Sequence, residues 1–259
     1  MRALVTFALE TEFAPWRKMR EFRAEKWGVA KAYCTDIGGA EVGVVLTGVG
    51  PRQGGRRASE VICGESASID LCISSGLTGS LKDEYAIAQV LAARRVLPEL
   101  PHADSPGRSL VCSPALVSFA DECGATVVDQ FFTAERIVSR ASEKRELGRL
   151  ADAVEMESFD ILHEAQAFGV PVIAIRAVSD LSSEDLPLDL SSVLSGQGEV
   201  SIPRVLSQAA RRPAALPGLV KLGRQSKRAA ANLAAFLDRY ISTIATRMTQ
   251  LEPATGAAN

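Results

Sequence analysis

The sequence predicts an α/β layered domain, and three observations carry that prediction. Apolar runs of strand length recur along the chain, several are followed by segments with apolar residues every three or four positions, and the composition is that of an ordinary globular protein. The chain has 259 residues, 47% hydrophobic and 23% charged, close to the usual values of about 45–50% and about 25%. At roughly 150 residues per domain this length accommodates one or two domains.

The strands are read in order from Arg2 to Leu9, Val42 to Leu46, Leu71 to Ser74, Ala88 to Val96 and Val170 to Val178. The last, VPVIAIRAV, is apolar at nearly every position and rich in β-branched residues, so it is expected as a central strand covered on both faces. From Val154 to Phe168, Met156, Phe159, Leu162 and then Ala165 or Phe168 recur at helical spacing, which predicts an amphipathic helix. Gly169 is expected to cap it, and Pro171 forbids its continuation. On such a continuous helix Glu155 and Glu157, two positions apart, cannot face one ligand.

Beyond Asp180 the texture changes. Leu186 to Gly198 reads as a Leu/Ser/Gly loop, and Ile202 to Leu219 is interrupted by Pro203, Pro213 and Pro217, so short helices are expected there. From Lys221 to about Met248 the pattern is that of one long surface helix, with Leu222, Ala229, Leu233, Phe236, Leu237, Tyr240, Ile241 and Ile244 at helical spacing. The final residues are expected to fray.

Charge and cysteine content exclude several classes. Lys+Arg 29 against Asp+Glu 31 leaves a net charge of -2, with no electrostatic footprint for nucleic acid or an acidic membrane. The five cysteines, Cys34, Cys63, Cys72, Cys112 and Cys123, lack zinc-site spacing and read as reduced core residues of a cytoplasmic protein. The N-terminal apolar run is broken by Glu10 and Glu12, unlike a signal or transit peptide. No segment approaches the ~20 apolar residues of a membrane span.

In an open α/β sheet, ligands bind beyond the carboxyl ends of the strands. That rule selects Glu10 to Glu12, Thr47 to Gly50, Ser74 to Gly76, and Ser179 with Asp180. Each has a plainer reading. Glu12 suits an exposed first helical turn, Asp180 an N-cap, and Ser74 to Ser80 a turn, although the same run offers N–H groups to a sugar hydroxyl or an anion. Gly48 and Gly50 lack the third glycine of a dinucleotide fingerprint. His102 and His163, the only histidines, have no nucleophile-elbow serine near them. Arg52, Arg56 and Arg57 suit a solvated helix face or, as a second reading, a phosphate contact.

Taken together, the landmarks carry a resemblance. The string from Val154 to Asp180, VEMESFDILHEAQAFGVPVIAIRAVSD, resembles the signature of the nucleoside phosphorylase/nucleosidase superfamily, in which a V-E-M-E segment precedes a strand ending in R-x-x-S-D. ALETEF at Ala8 to Phe13, TGVG at Thr47 to Gly50 and SSGLTGSL at Ser74 to Leu81 resemble its other landmarks in the same order. The resemblance covers the first two thirds of the chain. It implies a three-layer fold with a mixed, largely parallel central sheet flanked by helices, a catalytic domain over 1–185, and a helical extension over 186–259 packed on it.

ALETEF is most similar to the methylthioadenosine/S-adenosylhomocysteine nucleosidases. By that resemblance Glu12 positions the attacking water, Met156 and Glu157 hold the ribose, and Asp180 protonates purine N7. Ser75, Gly76, Ile137, Val138 and Ser179 complete the expected binding set. The implied reaction is hydrolysis of the N-glycosidic bond of a purine nucleoside, a 5′-modified adenosine, with no metal or organic cofactor and with homo-oligomers common among relatives. The chemistry is consistent with these residue types. Bond cleavage builds positive charge on the sugar, which a carboxylate stabilises, and departure of the base calls for a general acid.

Three departures stand out. Leu77 replaces a small polar residue of the glycine-rich run, and Ile137 stands where the nucleosidases stack an aromatic ring on adenine. GVGP at Gly48 to Pro51 and the extension from Leu186 to Leu237 look more like the hopanoid-associated phosphorylases. A phosphorylase that uses phosphate in place of water, with Arg52 or a neighbour as its ligand, is therefore the second reading. A non-catalytic nucleoside-binding protein is the third.

Overall fold

The computed structural model describes residues 1–65, 69–98, 108–188 and 212–251. Most of the segment expected as a loop over Leu186 to Gly198, the first half of that expected as short helices over Ile202 to Leu219, and His102 lie outside them. Among the described residues every strand belongs to one ten-stranded mixed sheet. β1 (Arg2–Phe7) lies between β4 (Ala40–Leu46) and β5 (Leu71–Ser80), parallel to both. From β4 the antiparallel strands β3 (Ala30–Ile37) and β2 (Arg23–Trp27) extend one edge.

On its other side the sheet closes on itself. β5 pairs in parallel with β10 (Val172–Asp180), β10 antiparallel with β6 (Val90–Leu97), and β6 in parallel with β8 (Thr126–Thr133). β8 then pairs in parallel with β9 (Ala153–Glu155), which returns antiparallel to β5. The two-residue strand β7 (Leu110–Val111) adds to β6. Closure leaves β10 buried along its whole length, as its unbroken apolar pattern requires.

Helices cover the sheet. α1 (Glu10–Met19) follows β1 directly and packs Phe13 and Trp16 against Phe7 and Phe22. α2 (Pro51–Glu65) packs against α5 (Ser158–Ala167), while α3 (Pro114–Glu122) lies on β6 and β8. α4 (Ala141–Leu147) stands at the carboxyl end of the closed part. A 3-10 turn at Pro213–Ala215 leads into α6 (Leu216–Leu251). Pro217 is accommodated in the first turn of α6, where a helix needs no N–H donor.

The expected long helix is present but is more than a surface element. Leu233, Phe236, Leu237, Tyr240, Ile241 and Ile244 are all at most 2% exposed, and Tyr240 donates to the Leu116 carbonyl at 2.9 Å. Asp238 accepts from Trp16 Nε1 at 3.2 Å and pairs with Arg20, which ties α6 to α1.

Two local expectations are corrected. The helix expected over 154–168 begins only at Ser158, because Val154 pairs with Gly79 of β5 and with Phe132 of β8. Tertiary pairing outweighs the local period there. The third strand does not end in a turn at Ser74 to Gly76 but runs on to Ser80, paired with β10 through Gly79. Cys63 is also exposed rather than a core residue, although all five cysteines are free. Arg56 and Arg57 pair with Glu60 on α2, the solvated helix face read from their spacing.

Candidate active site

The carboxyl ends of β1, β5 and β10, the loop after β4 and the start of α5 converge on one cavity of about 220 Å³. Glu12 is the third residue of α1, and its side chain turns back over the helix start. Its Oε2 accepts from Leu9 N at 3.0 Å and its Oε1 from Leu77 N at 3.1 Å. It is therefore not an exposed first-turn residue. Burial pushes its carboxyl above the ordinary range, opposed by the nearby Arg176 cation and the backbone N–H groups.

Glu157 precedes α5 and reaches the loop after β4. Gly48 (φ +79) and Gly50 (φ +108) turn that loop with backbone that favours glycine, and Gly50 N donates to Glu157 Oε1 at 2.9 Å. Burial, aided by the Glu155 charge and opposed by Arg176, pushes Glu157 up to about 7. Arg176, in the middle of β10, is 1% exposed. It donates to Glu155 at 2.6 Å, to Ser158 Oγ at 3.0 Å and to Ser74 Oγ at 3.2 Å, and stands 3.5 Å from Glu157. Glu155 in turn accepts from the N–H groups of Glu157 and Ser158 at 2.9 and 2.8 Å. The premise that both glutamates lie on one helix fails, and both carboxylates meet the same guanidinium.

Asp180 ends β10 at an irregularity in its register with β5, between Val178 and Asp180. Such bulges re-aim a side chain. Its Oδ1 accepts from Ser179 Oγ at 2.8 Å, and its Oδ2 pairs with Lys144 of α4. It is a strand-end carboxylate and not an N-cap. Gly79 gives it room, since a Cβ there would lie 2.9 Å from Asp180 Oδ2.

Of the residues singled out from the sequence, Glu12, Ile137, Val138, Met156, Glu157, Ser179 and Asp180 all line this cavity. Ser75 and Gly76 do not. Ser75 is 1% exposed and its hydroxyl has no hydrogen-bond partner among the described residues. Gly76 has φ +146, and a Cβ there would run into Arg176 and lie 3.3 Å from Glu12 Oε1. Its contribution is steric: it lets Glu12 and Arg176 approach the strand.

Sequence reasoning missed Glu155, Arg136, Leu222 and Ser226 on the cavity wall, and Arg176 and Lys144 behind it. An arginine inside an otherwise apolar strand was the available signal for Arg176, because a charge is buried only with partners. Leu222 reads as one more apolar position of α6, and nothing in that pattern marks it or Ser226 as facing the cavity. The apolar wall is aliphatic, with no aromatic ring among the described lining residues. No group of three or more His, Cys, Asp or Glu that could hold a metal ion occurs among the described residues. No helix among them is long and apolar enough to cross a membrane.

A mixed sheet that closes on itself, is flanked by helices and carries buried carboxylates at its strand ends defines the α/β class of this chain. The phosphorylase superfamily matches residues 3–242. The chain belongs to that superfamily.

Solved structures agree in fold. Futalosine hydrolase of Helicobacter pylori superposes with a TM-score of 0.71 at 16% identity, covering 94% of this chain and 98% of that one. The 5′-methylthioadenosine/S-adenosylhomocysteine nucleosidase of the same organism gives 0.71 at 17%, with 94% and 98% covered. The Neisseria meningitidis nucleosidase of that name gives 0.68 at 20%, with 93% and 99% covered. At these identities the shared property is the fold, a mixed sheet flanked by helices.

Proposed function

We propose that this protein is a nucleosidase that hydrolyses the N-glycosidic bond of a purine nucleoside, a 5′-modified adenosine, to free base and sugar. The observation that carries the reading is the placement of buried carboxylates along one cavity. Glu12 stands beside Gly76 and Asp180 beside Gly79, three residues along β5 or roughly 10 Å at about 3.3 Å per residue. That separation seats a sugar and a base side by side.

In this reading Glu157 and Met156 hold the ribose. Glu12 orients a water and takes its proton as the oxygen attacks C1′. The C1′–N9 electron pair moves into the purine, and Asp180 protonates N7. The negative charge of Glu12 and Glu157 stabilises the oxocarbenium-like sugar. The aliphatic wall formed by Val49, Ile137, Val138, Leu186 and Leu222 suits an apolar base face and an apolar 5′ substituent, held by contact rather than by ring stacking. Solved relatives described as methylthioadenosine/S-adenosylhomocysteine nucleosidases support the same substrate class.

Charge favours water over phosphate. Three carboxylates line the sugar side, Arg176 is already committed to Glu155 and its neighbours, and Arg136 pairs with Glu143. A phosphate dianion would meet carboxyl groups there and, among the described lining residues, only one cation, Arg136, which is already paired. The test is to incubate purified protein with 5′-methylthioadenosine, S-adenosylhomocysteine or 5′-deoxyadenosine, with and without phosphate, and to follow free adenine. Release without phosphate is expected. Release that requires phosphate would assign the phosphorylase reaction, and no release from any purine nucleoside would leave a binding protein.

A further inference from the structure

Lys144 is 0% exposed. Its ammonium meets the Asp180 carboxylate, the Leu181 carbonyl at 2.9 Å and the Glu184 carbonyl at 3.2 Å. A lysine ammonium has three N–H donors, and here each has one acceptor. The neighbouring charges are engaged elsewhere. Glu184 pairs with Lys221 of α6 at 2.6 Å, and Asp185 accepts from Ala141 N at 2.7 Å. Arg136 is held by Glu143, and on the cavity side Glu12, Glu157 and Arg176 form their own network. Asp180 is thus the carboxylate that Lys144 pairs with among the described residues, and the path from its ammonium to the cavity runs through Asp180.

Asp180 stands between this buried N–H donor and the cavity, with one oxygen on Lys144 and the other accepting from Ser179 Oγ. We propose that Lys144 is the positioning residue and proton reserve of Asp180, a proposal that rests on the nucleosidase reading. As the C1′–N9 bond breaks and its electron pair enters the purine, one proton passes from Lys144 to Asp180 and from Asp180 to N7. Lys144 becomes a neutral amine. Its two remaining N–H groups match the Leu181 and Glu184 carbonyls, and its lone pair faces Asp180. While the proton sits on Asp180 its O–H donates back to that lone pair, so the hydrogen-bond count closes with the proton on either partner and it crosses between them without rearrangement. Once the base has left, water in the cavity returns a proton through Asp180.

The test compares the full-length wild type with Lys144→Met, Lys144→Gln and Lys144→Arg on two substrates: the purine nucleoside that the wild type cleaves, and 4-nitrophenyl riboside. The nitrophenolate leaves without a proton. Lys144→Met and Lys144→Gln are expected to lower kcat on the purine nucleoside by about 10²-fold or more, with little change in KM, and to stay within about 3-fold of wild type on the nitrophenyl riboside. Gln keeps two N–H donors in place should Met not fold. Lys144→Arg keeps the charge but holds its proton too tightly to give it up, so it is not expected to restore the purine rate. An equal loss on both substrates, restoration by Arg, or a purine rate within about 3-fold of wild type would overturn the proposal alone. A wild type inactive on every purine nucleoside would overturn the nucleosidase reading, and this proposal with it.

Discussion

Asp180 and Glu157 are both buried carboxylates, yet their surroundings prepare them for different work. Asp180 is met by one cation and one hydroxyl, which suits a group that exchanges a proton. Asp180→Asn is expected to lower the rate of base release by about 10²–10⁴-fold with an unchanged circular dichroism spectrum. A full rate would remove the general-acid role. Glu157 is instead pushed up to about 7, against 4.5 for an exposed group, by burial first and by the neighbouring Glu155 charge second. The folded state therefore keeps a proton that the unfolded chain releases across that interval, and this group's contribution to stability falls as pH rises through it. The Tm of Glu157→Gln minus that of wild type is expected to grow from pH 4.5 to about pH 7. Thermal denaturation across that range checks it, and a difference that shrinks with pH would contradict the assignment. Asp180 was legible from its strand-end position and residue type, and Glu157 through the resemblance of the V-E-M-E segment. Arg176 and Lys144 were not singled out, because a buried cation is recognised by its partners and those are distant in the chain.

At the scale of elements, β5 organises the site through its glycines. Gly76, at φ +146 and against Arg176, has both unusual backbone and no room for a side chain. Gly76→Ala is expected to destabilise the protein by about 1–3 kcal/mol, read from a lower denaturant midpoint. Gly79→Ala works differently, since its backbone is ordinary and its Cβ would press on Asp180 Oδ2 at 2.9 Å. There kcat is expected to fall with little loss of stability. The element-level errors of sequence reading lie at this same strand. Helical spacing ran through Val154 and Glu155, but those residues complete the closure between β5 and β8. The serine and glycine run at Ser74 to Ser80 looked like a turn because its residue types favour turns, whereas pairing with β10 along one side, and with β1 at Ser74 and β9 at Gly79 and Ser80 on the other, holds it extended. β3 alternates buried and exposed residues and was open to detection. β2, mostly exposed, carries no such pattern and is fixed by its partner.

Across the whole molecule, α6 joins the core to the cavity. Its central residues pack on β10 and α1, and Leu222 and Ser226 near its start line the site. Leu237→Ala is expected to cost about 2–5 kcal/mol, seen in chemical denaturation. Leu222→Ala, at the cavity wall, is expected to change KM for different 5′ substituents more than it changes Tm. The sequence by itself determined the α/β class, the central buried strand, the long terminal helix and most of the carboxylates at the strand ends. These follow from apolar period and residue chemistry, which are local and survive in a linear string. Only the tertiary structure decided that the sheet closes on itself, that Glu155 and Glu157 share Arg176, that Lys144 stands behind Asp180, and that α6 walls the cavity. Each of these is a contact between residues far apart in the chain, where pairing and burial outweigh local propensity.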